Sequence, residues 1–396
     1  MDKIKDFIIK NKKLVIIIAG ALVAVGIVVG VVLAISGKKP KNSSSEITTT
    51  ETQSETESEV GEETTTQEEE TTVEDTVVEY PYINPLTGEG SMVDYSSTRP
   101  VAIMLNTIKQ ALPQSGNSKA DILIEMAEEG GITRVLGIYQ DITGVGTMGA
   151  VRSTREYYYS WTQSFDAIMV HAGGDAWVLS QIKQDGNLTI NSIVSNKGAF
   201  WRDQNRLSYL SIEHTLFTSS DNLANWLVGS NVPTTHTKDN YTTFNFTDEH
   251  SEEFMTTPAD HVKVTFSGYK STSFEYNEET GKYDVYFWDT EAYMDEAAGK
   301  QVDVTNVIVL PVPNWTASDG WNANRQKYNL SGGVGYYISG GEYTQINWTK
   351  GDYNVVSEYG NPLVMTTLEG EPLELAVGKT YICVVNQAFG VEITGE

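Results

Sequence analysis

Residues 130–174 read GGITRVLGIYQDITGVGTMGAVRSTREYYYSWTQSFDAIMVHAGG, and the N-terminal fold is predicted from this stretch. Thr133–Gln140 is a β-compatible run, and Asp166–Val170 has the apolar pattern of a second strand. Between them, Ser153-Thr154-Arg155-Glu156 has the form of a capping box, which predicts a helix that begins at Ser153. We therefore predict an α/β domain with a mixed sheet in this part of the chain.

Five of the seven arginines of the chain lie in or soon after this stretch, although the net charge is −26: Arg134, Arg152, Arg155, Arg202 and Arg206. Arg152 and Arg155 flank the predicted helix start, where free amides and the helix dipole favour a bound carboxylate or phosphate. The following strand delivers His171 to the carboxyl edge of the sheet, where α/β folds bind ligands. An equally open alternative is that the arginines form internal ion pairs with Glu125, Glu128 or Glu129.

The N-terminal 79 residues are predicted to anchor the protein in the cell membrane. Residues 1–13 carry five lysines, and Leu14–Ile35 then runs for 22 residues without a charge. That length can cross a hydrocarbon core of about 30 Å, and the preceding lysines favour a cytoplasmic tail and an extracytoplasmic body. Residues 36–79 are rich in Thr, Glu and Ser and lack aromatic residues, so we expect a disordered stalk.

The remaining chain is longer than one typical core needs, so two domains are predicted. Residues 80–235 form the α/β domain with the mixed sheet. Residues 258–396 contain many short β patterns and few helical signals, which predicts a mostly β domain. The fold class is therefore α+β with a membrane anchor.

Composition and motif spacing argue against several classes of function. From Leu207 onward the chain has 26 acidic residues against 9 basic ones, which disfavours a nucleic-acid partner. The five histidines show no close metal-ligand spacing, so we expect no metal. Gly144–Gly149 matches G-x-G-x-x-G, but the predicted helix starts only after the motif. We read it as a glycine-rich turn and expect no cofactor.

Glu125, Glu129 and His171 are the best acid/base candidates. Two carboxylates that flank a bond can hydrolyse a glycan or a phosphodiester, but their separation cannot be read from the sequence. The alternative is that the glutamates neutralise the arginines. The aromatic residues at 157–161 suit sugar stacking and core packing equally well.

Several short motifs follow one another along the chain. They are Arg99–Asn106, Pro113–Gly116, Ala120–Ile122, Glu129–Arg134, Val151–Arg155, His171–Gly174, Asn306–Val309 and Trp348–Gly351. Together they resemble the YerB-like lipoprotein family of Gram-positive bacteria, over nearly all of Arg99–Val385. The resemblance implies an extracytoplasmic protein with an N-terminal and a C-terminal domain, and it supplies no reaction. This chain departs from the family in two places: Leu14–Ile35 stands where members carry a lipid, and Glu213-His214-Thr215 replaces Pro-His-Asn.

These patterns lead to a predicted site and to three hypotheses of function. The predicted ligand-binding residues are Asn106, Gln114, Arg134, Arg152, Ser153, Arg155, His171, Arg202 and His214. The first hypothesis is an envelope protein that binds an anionic or glycan ligand, or that serves as a scaffold for envelope assembly. The second is an envelope hydrolase or transferase that uses Glu125, Glu129 and His171. The third is an adaptor for a membrane protein partner.

Overall fold

The structure is a computed structural model, and it describes residues 79–186, 189–194, 198–248, 254–318 and 324–396. These ranges belong to one compact unit, residues 75–396. The predicted cytoplasmic tail, the apolar span Leu14–Ile35 and the predicted stalk up to residue 78 lie outside the described residues. Within the described ranges, no helix is both long and apolar enough to cross a membrane.

The first part of the described chain mixes strands with short helices. Its strands are β1 (Tyr82–Ile83), β2 (Gly90–Ser91), β3 (Val101–Asn106), β4 (Ile122–Ala127), β5 (Thr133–Tyr139), β6 (Thr147–Gly149), β7 (Ile168–His171), β8 (Ile190–Asn191), β9 (Trp201–Arg202) and β10 (Leu216–Ser219). Its α-helices are α1 (Glu156–Ser164), α2 (Ala176–Gln184), α3 (Gln204–Leu207) and α4 (Ser220–Val228). Its 3-10 turns are Lys109–Ala111, Asn117–Lys119, Glu129–Gly131 and Ile212–His214.

The second part is built almost entirely from strands. They are β11 (Asn245–Thr247), β12 (Thr257–Pro258), β13 (His261–Thr265), β14 (Ser271–Asn277), β15 (Lys282–Phe287), β16 (Glu291–Ala292), β17 (Met294–Asp295), β18 (Lys300–Gln301), β19 (Asp303–Val304), β20 (Asn306–Val312), β21 (Asn314–Thr316), β22 (Gln326–Tyr328), β23 (Gly332–Ser339), β24 (Glu342–Thr349), β25 (Val364–Thr366), β26 (Glu374–Ala376), β27 (Thr380–Asn386) and β28 (Val391–Thr394). One 3-10 turn, Val356–Glu358, lies between β24 and β25. The predicted mostly β character of this part is confirmed.

One mixed sheet runs through both parts of the chain. Its order is β12-β24-β23-β20-β27-β4-β5-β3-β7-β8, and β25 pairs with β24 at the far side. Strand β27 pairs in parallel with β20 on one side and with β4 on the other, whereas β5 runs antiparallel to both β3 and β4. The predicted mixed sheet is therefore present, and strands from both predicted domains build it.

The central sheet is covered on both faces, which explains why its inner strands are continuously apolar. Along β27, Tyr381, Cys383 and Val385 face one core, and Ile382 and Val384 face the other. A second, antiparallel sheet of order β16-β15-β14-β13-β28, in which β19 also pairs with β15, covers the first face. Helix α1 contributes its aromatic side chains to the core on the second face.

Helix α1 begins three residues later than the capping-box pattern predicts. The first helical residue is Glu156, Arg155 takes the N-cap position in extended conformation, and no side chain caps the helix. The Ser153 hydroxyl instead donates to the carbonyl of Ala172 at 2.7 Å, so the predicted cap is wrong. The aromatic residues of α1, including Tyr157 and Trp161, are buried, so they serve core packing.

Helices α2 and α4 are each capped by a short polar side chain. Asp175 caps α2, and its Oδ1 accepts from the amides of Trp177 and Val178 at 3.0 Å each. The cap of α4 is Ser219, whose hydroxyl accepts from the amide of Asn222 at 3.2 Å. Short polar side chains at these positions satisfy amides that the first helical turn leaves free.

A fully buried ion pair joins the central sheet to the second sheet. Glu125 on β4 and Lys270, just before β14, are both 0% exposed, and Oε1 lies 3.0 Å from Nζ. Glu125 also accepts from the hydroxyls of Thr133, Thr272 and Tyr381 at 2.5, 2.7 and 2.7 Å. Burial lowers the pKa of Lys270 to about 8, since desolvation outweighs the attraction of Glu125.

We expect the Glu125→Gln variant to lose about 3–5 kcal/mol of unfolding free energy, because it leaves the Lys270 ammonium buried without a counter-charge. The double variant Glu125→Gln, Lys270→Met should recover part of that loss. A matched control is Lys263→Met, which breaks the solvent-exposed pair with Asp289 and should change the stability far less, because water solvates both charges. Urea unfolding followed by tryptophan fluorescence measures all three. Equal losses for the buried and the surface variants would contradict this account.

Candidate functional site

Two of the predicted arginines are locked into a buried ion-pair network. Glu128 has no exposed side-chain area, and its Oε2 lies 2.8 Å from Arg134 Nη1 and 3.3 Å from Arg155 Nη2. Arg155 also binds Glu129 at 2.7 Å, and Arg325 approaches the same Glu129 oxygen at 3.3 Å. For Arg134 and Arg155 the structure therefore shows the internal ion pairs that the sequence left as one of two alternatives.

The protonation of this network follows from burial and from the neighbouring charges. Burial raises the pKa of Glu128, although Arg134 and Arg155 pull it down. Burial alone lowers the pKa of Arg155, but Glu128 and Glu129 more than reverse that effect and raise it. Arg155 is thus fully charged and committed to these two carboxylates, which leaves it little capacity for a ligand.

Arg152 has a different environment, at the carboxyl end of β3. Its Nη1 donates to the main-chain carbonyl of Glu213 at 3.0 Å and to the Glu213 carboxylate at 3.2 Å. Arg202 donates to the neighbouring carbonyl of Ile212. At the end of β3, the Nδ2 atom of Asn106 lies 2.9 Å from Nδ1 of His214. We call Asn106, Arg152, Arg202, Glu213 and His214 the Arg152 site.

Main-chain hydrogen bonds position the Arg152 site. The amide of Arg152 donates to the carbonyl of Met104 on β3, and the amide of Asn106 donates to the carbonyl of Ala150. Gln114 reaches Asn106 from a turn and donates to its carbonyl. The turn itself is held by the buried carboxylate of Asp295, which accepts from the amides of Gly116 and Ser118 at 3.0 and 3.1 Å.

Several polar atoms around the Arg152 site are buried without a hydrogen-bond partner in the described part of the chain. They are Nε of Arg134, Nε of Arg152, Oε1 of Gln114 and both carboxylate oxygens of Glu128. Burial, and after it the like charge of Arg134, lower the pKa of Arg152. Two guanidinium groups therefore repel each other here; in the described part of the chain Glu213 forms the direct ion pair with Arg152, and Glu128 attracts Arg152 more weakly. An added anion would reduce that repulsion.

The structure places His171 and Ser153 in structural roles beside this site. His171 is 0% exposed, and its ring nitrogens lie 2.7 Å from the carbonyl of Gly173 and 2.9 Å from the hydroxyl of Thr189. Burial lowers the pKa of His171 to about 4, so the ring is neutral at pH 7 and adds no positive charge. The Ser153 hydroxyl is committed to the carbonyl of Ala172.

The predicted acid/base set does not assemble. Glu125 is enclosed between the two sheets with Lys270, Glu129 pairs with Arg155 and Arg325, and His171 binds Gly173 and Thr189. Within the described residues, no hydrogen bond or ion pair joins any two of the three. The physical reason is strand alternation, which turns Glu125 toward the second sheet while Glu129 lies beyond the end of β4.

Three charged residues of these networks were missed by the sequence interpretation. Lys270 and Arg325 come from the second part of the chain, and no local pattern links them to Glu125 or Glu129. Glu213 was noted only as a departure from the family pattern. Its position directly before His214 is a signal that could have found it.

We expect Arg155→Ala and Arg152→Ala to differ sharply in stability. Loss of Arg155 leaves Glu128 and Glu129 short of positive charge, and breaking a buried pair costs about 3–5 kcal/mol. Loss of Arg152 releases only the half-exposed Glu213, at a cost of about 1 kcal/mol or less. Urea unfolding of the two variants measures the difference. If Arg152→Ala proves as damaging as Arg155→Ala, Arg152 is a structural residue too.

Comparisons with known proteins match both parts of the chain. Residues 86–232 match the N-terminal domain, and residues 262–382 the C-terminal domain, of a family described as "Protein of unknown function (DUF3048)". "Putative lipoprotein YerB" of Bacillus subtilis (strain 168) is 38% identical over 137 residues, which span 35% of this chain and 40% of that protein's length. The crystal structure of YerB protein from Bacillus subtilis is similar with a TM-score of 0.66 at 26% identity, over 78% of this chain and 99% of that one. The chain therefore belongs to the YerB-like family, with an N-terminal and a C-terminal DUF3048 domain.

Proposed function

We propose that this protein is an extracytoplasmic cell-envelope protein that binds a phosphate or carboxylate group of an envelope polymer at the Arg152 site. The observation that carries the proposal is the state of Arg152. Its Nε atom is buried without a partner, it lies close enough to Arg134 to be repelled, and its carboxylate partner Glu213 is half-exposed. A ligand oxyanion would supply the missing acceptor and the missing negative charge.

The proposal concerns an anionic group rather than the face of a sugar ring. The aromatic side chains of α1 are buried, so they offer no stacking surface. Trp201 is partly exposed, but it stacks on Phe217, and strand alternation turns it away from the face on which Arg202 lies. Charge recognition by guanidinium groups is thus the interaction that this site favours.

The hydrolase or transferase alternative has less support. A catalytic carboxylate pair must reach a bond on both sides of it. Glu125 is enclosed with Lys270, and Glu129 is shared by Arg155 and Arg325. A scaffold or adaptor role remains compatible with the proposal, since an anionic polymer and a membrane protein partner can be held by the same body.

The test of the proposal is phosphate binding by the full-length chain in detergent, measured by calorimetry. We expect Arg152→Ala to weaken binding of inorganic phosphate about 10- to 100-fold, because a hydrogen bond to a charged group contributes roughly 1.5–3 kcal/mol. The matched control is Lys263→Ala, which removes one positive charge from the second sheet. The proposal fails if the wild-type chain binds no phosphate, or if both variants weaken binding equally.

We also propose that Leu14–Ile35 is a single membrane span that leaves residues 1–13 in the cytoplasm. Five lysines before an uncharged stretch of 22 residues support this orientation. A relative described as a lipoprotein supports an envelope location. Residues 36–79 would then form the stalk that carries the folded body.

Protease added to intact cells stripped of their wall should therefore degrade the folded body, because the body faces outward. An immunoblot against the body follows the loss, and a cytoplasmic protein that stays intact shows that the cells have not lysed. Survival of the body until the membrane is permeabilised would show that the orientation is wrong.

A further inference from the structure

The carboxylate of Glu213 lies between Arg152 and His214 in the Arg152 site. Its Oε2 atom is 3.2 Å from Nη1 of Arg152, and its Oε1 atom is 3.5 Å from Nε2 of His214. The two oxygens of one carboxylate thus face two different basic groups. The Glu213 side chain is 54% exposed, whereas those of Arg152 and His214 are 17% and 8% exposed.

The main chain around Glu213 is held without help from its carboxylate. Arg202 donates to the carbonyl of Ile212, and Arg152 donates to the carbonyl of Glu213 itself. The hydroxyl of Thr215 donates to the carbonyl of Ile212 at 2.8 Å, and the ring of His214 is held by Asn106 at 2.9 Å. The carboxylate can therefore swing into solvent while the turn keeps its shape.

Displacing this carboxylate costs little. An ion pair exposed to this degree contributes little to stability, because water solvates the carboxylate well once it is free. The buried carboxylate of Glu128 is the opposite case, since nothing in its surroundings could solvate it after separation from Arg134. Among the carboxylates of the two networks, Glu213 is the one that a ligand can replace.

We infer that Glu213 is an internal occupant of the Arg152 site, whose carboxylate stands in for the ligand and leaves when the ligand binds. The inference rests on the proposed function and makes it more specific. The ligand group must present two free oxygens on one centre, as Glu213 does, so that one oxygen meets Arg152 and the other meets His214. Carboxylates, phosphate monoesters and phosphodiesters satisfy this requirement, and a halide ion does not.

The experiment compares Glu213→Gln with the wild-type full-length chain in detergent, with inorganic phosphate as the probe. Removing the competing carboxylate should tighten phosphate binding about two- to five-fold, the equivalent of about 0.4–1 kcal/mol. Phosphate binding should be lost in the double variant Arg152→Ala, Glu213→Gln. Chloride at the same ionic strength should displace phosphate no better from the Glu213→Gln variant than from the wild-type chain.

The matched control is Glu291→Gln, which removes a carboxylate of similar exposure from a surface pair with Lys109 and changes the net charge by the same amount. Unchanged phosphate affinity in this control, together with tighter binding in Glu213→Gln, supports the inference. If phosphate binds more tightly to both variants by the same factor, the overall net charge explains the effect and the inference is overturned.

The remaining outcomes distinguish failure of the inference from failure of the proposed function. If the wild-type chain and Glu213→Gln bind phosphate equally, and Arg152→Ala abolishes binding, the anion site stands and the internal occupant is rejected. If neither the wild-type chain nor Glu213→Gln binds phosphate, both the proposed function and the inference are overturned. If the Glu213→Gln variant and the wild-type chain unfold at the same temperature, the variant is folded.

Discussion

The parallel pairing of β27 with β4 is the contact on which the rest of the structure depends. It places Thr380–Val384 beside Ile122–Met126 and so makes one sheet from two parts of the chain. It also brings the hydroxyl of Tyr381 and the strands of the second sheet around Glu125, whose charge could not be buried without them. In the same sheet, β5 pairs with β4 and β3 pairs with β5, so the end of β3 places Asn106 in the Arg152 site.

Four of the seven arginines form two groups that differ in the exposure of their carboxylate partners. Arg134 and Arg155 share the buried Glu128, and there each charge is fixed because its separation would leave an unsolvated ion. Arg152 and Arg202 sit at the edge of the same region, where carbonyls and one half-exposed carboxylate hold them loosely. The buried group gives the domain its rigidity, and the edge group gives it a surface that can exchange partners.

Much of the local structure could be predicted from the sequence, because its causes are local. The apolar runs of β5 and β7 and the β character of the second part follow from patterns a few residues long. The capping box failed because Ser153 is drawn to the carbonyl of Ala172, a partner that only the fold supplies. The partners of Glu125 and Glu129 were unreadable for the same reason, since Lys270 and Arg325 are distant in sequence and the strand register decides which charges meet.

The position of β27 in the middle of the central sheet also bears on how such a protein is made and how it can evolve. Strand β27 is synthesised after every other strand of the central sheet, yet it pairs with β4, the second strand of that sheet in chain order. Until β27 pairs with β4, that strand edge is open and Glu125 lacks the hydrogen bond from Tyr381, so the first part of the chain is incomplete until the second part is made. The two parts are therefore not independent folding units. A gene fusion that carried the first part alone would leave the β4 edge unpaired and prone to aggregation.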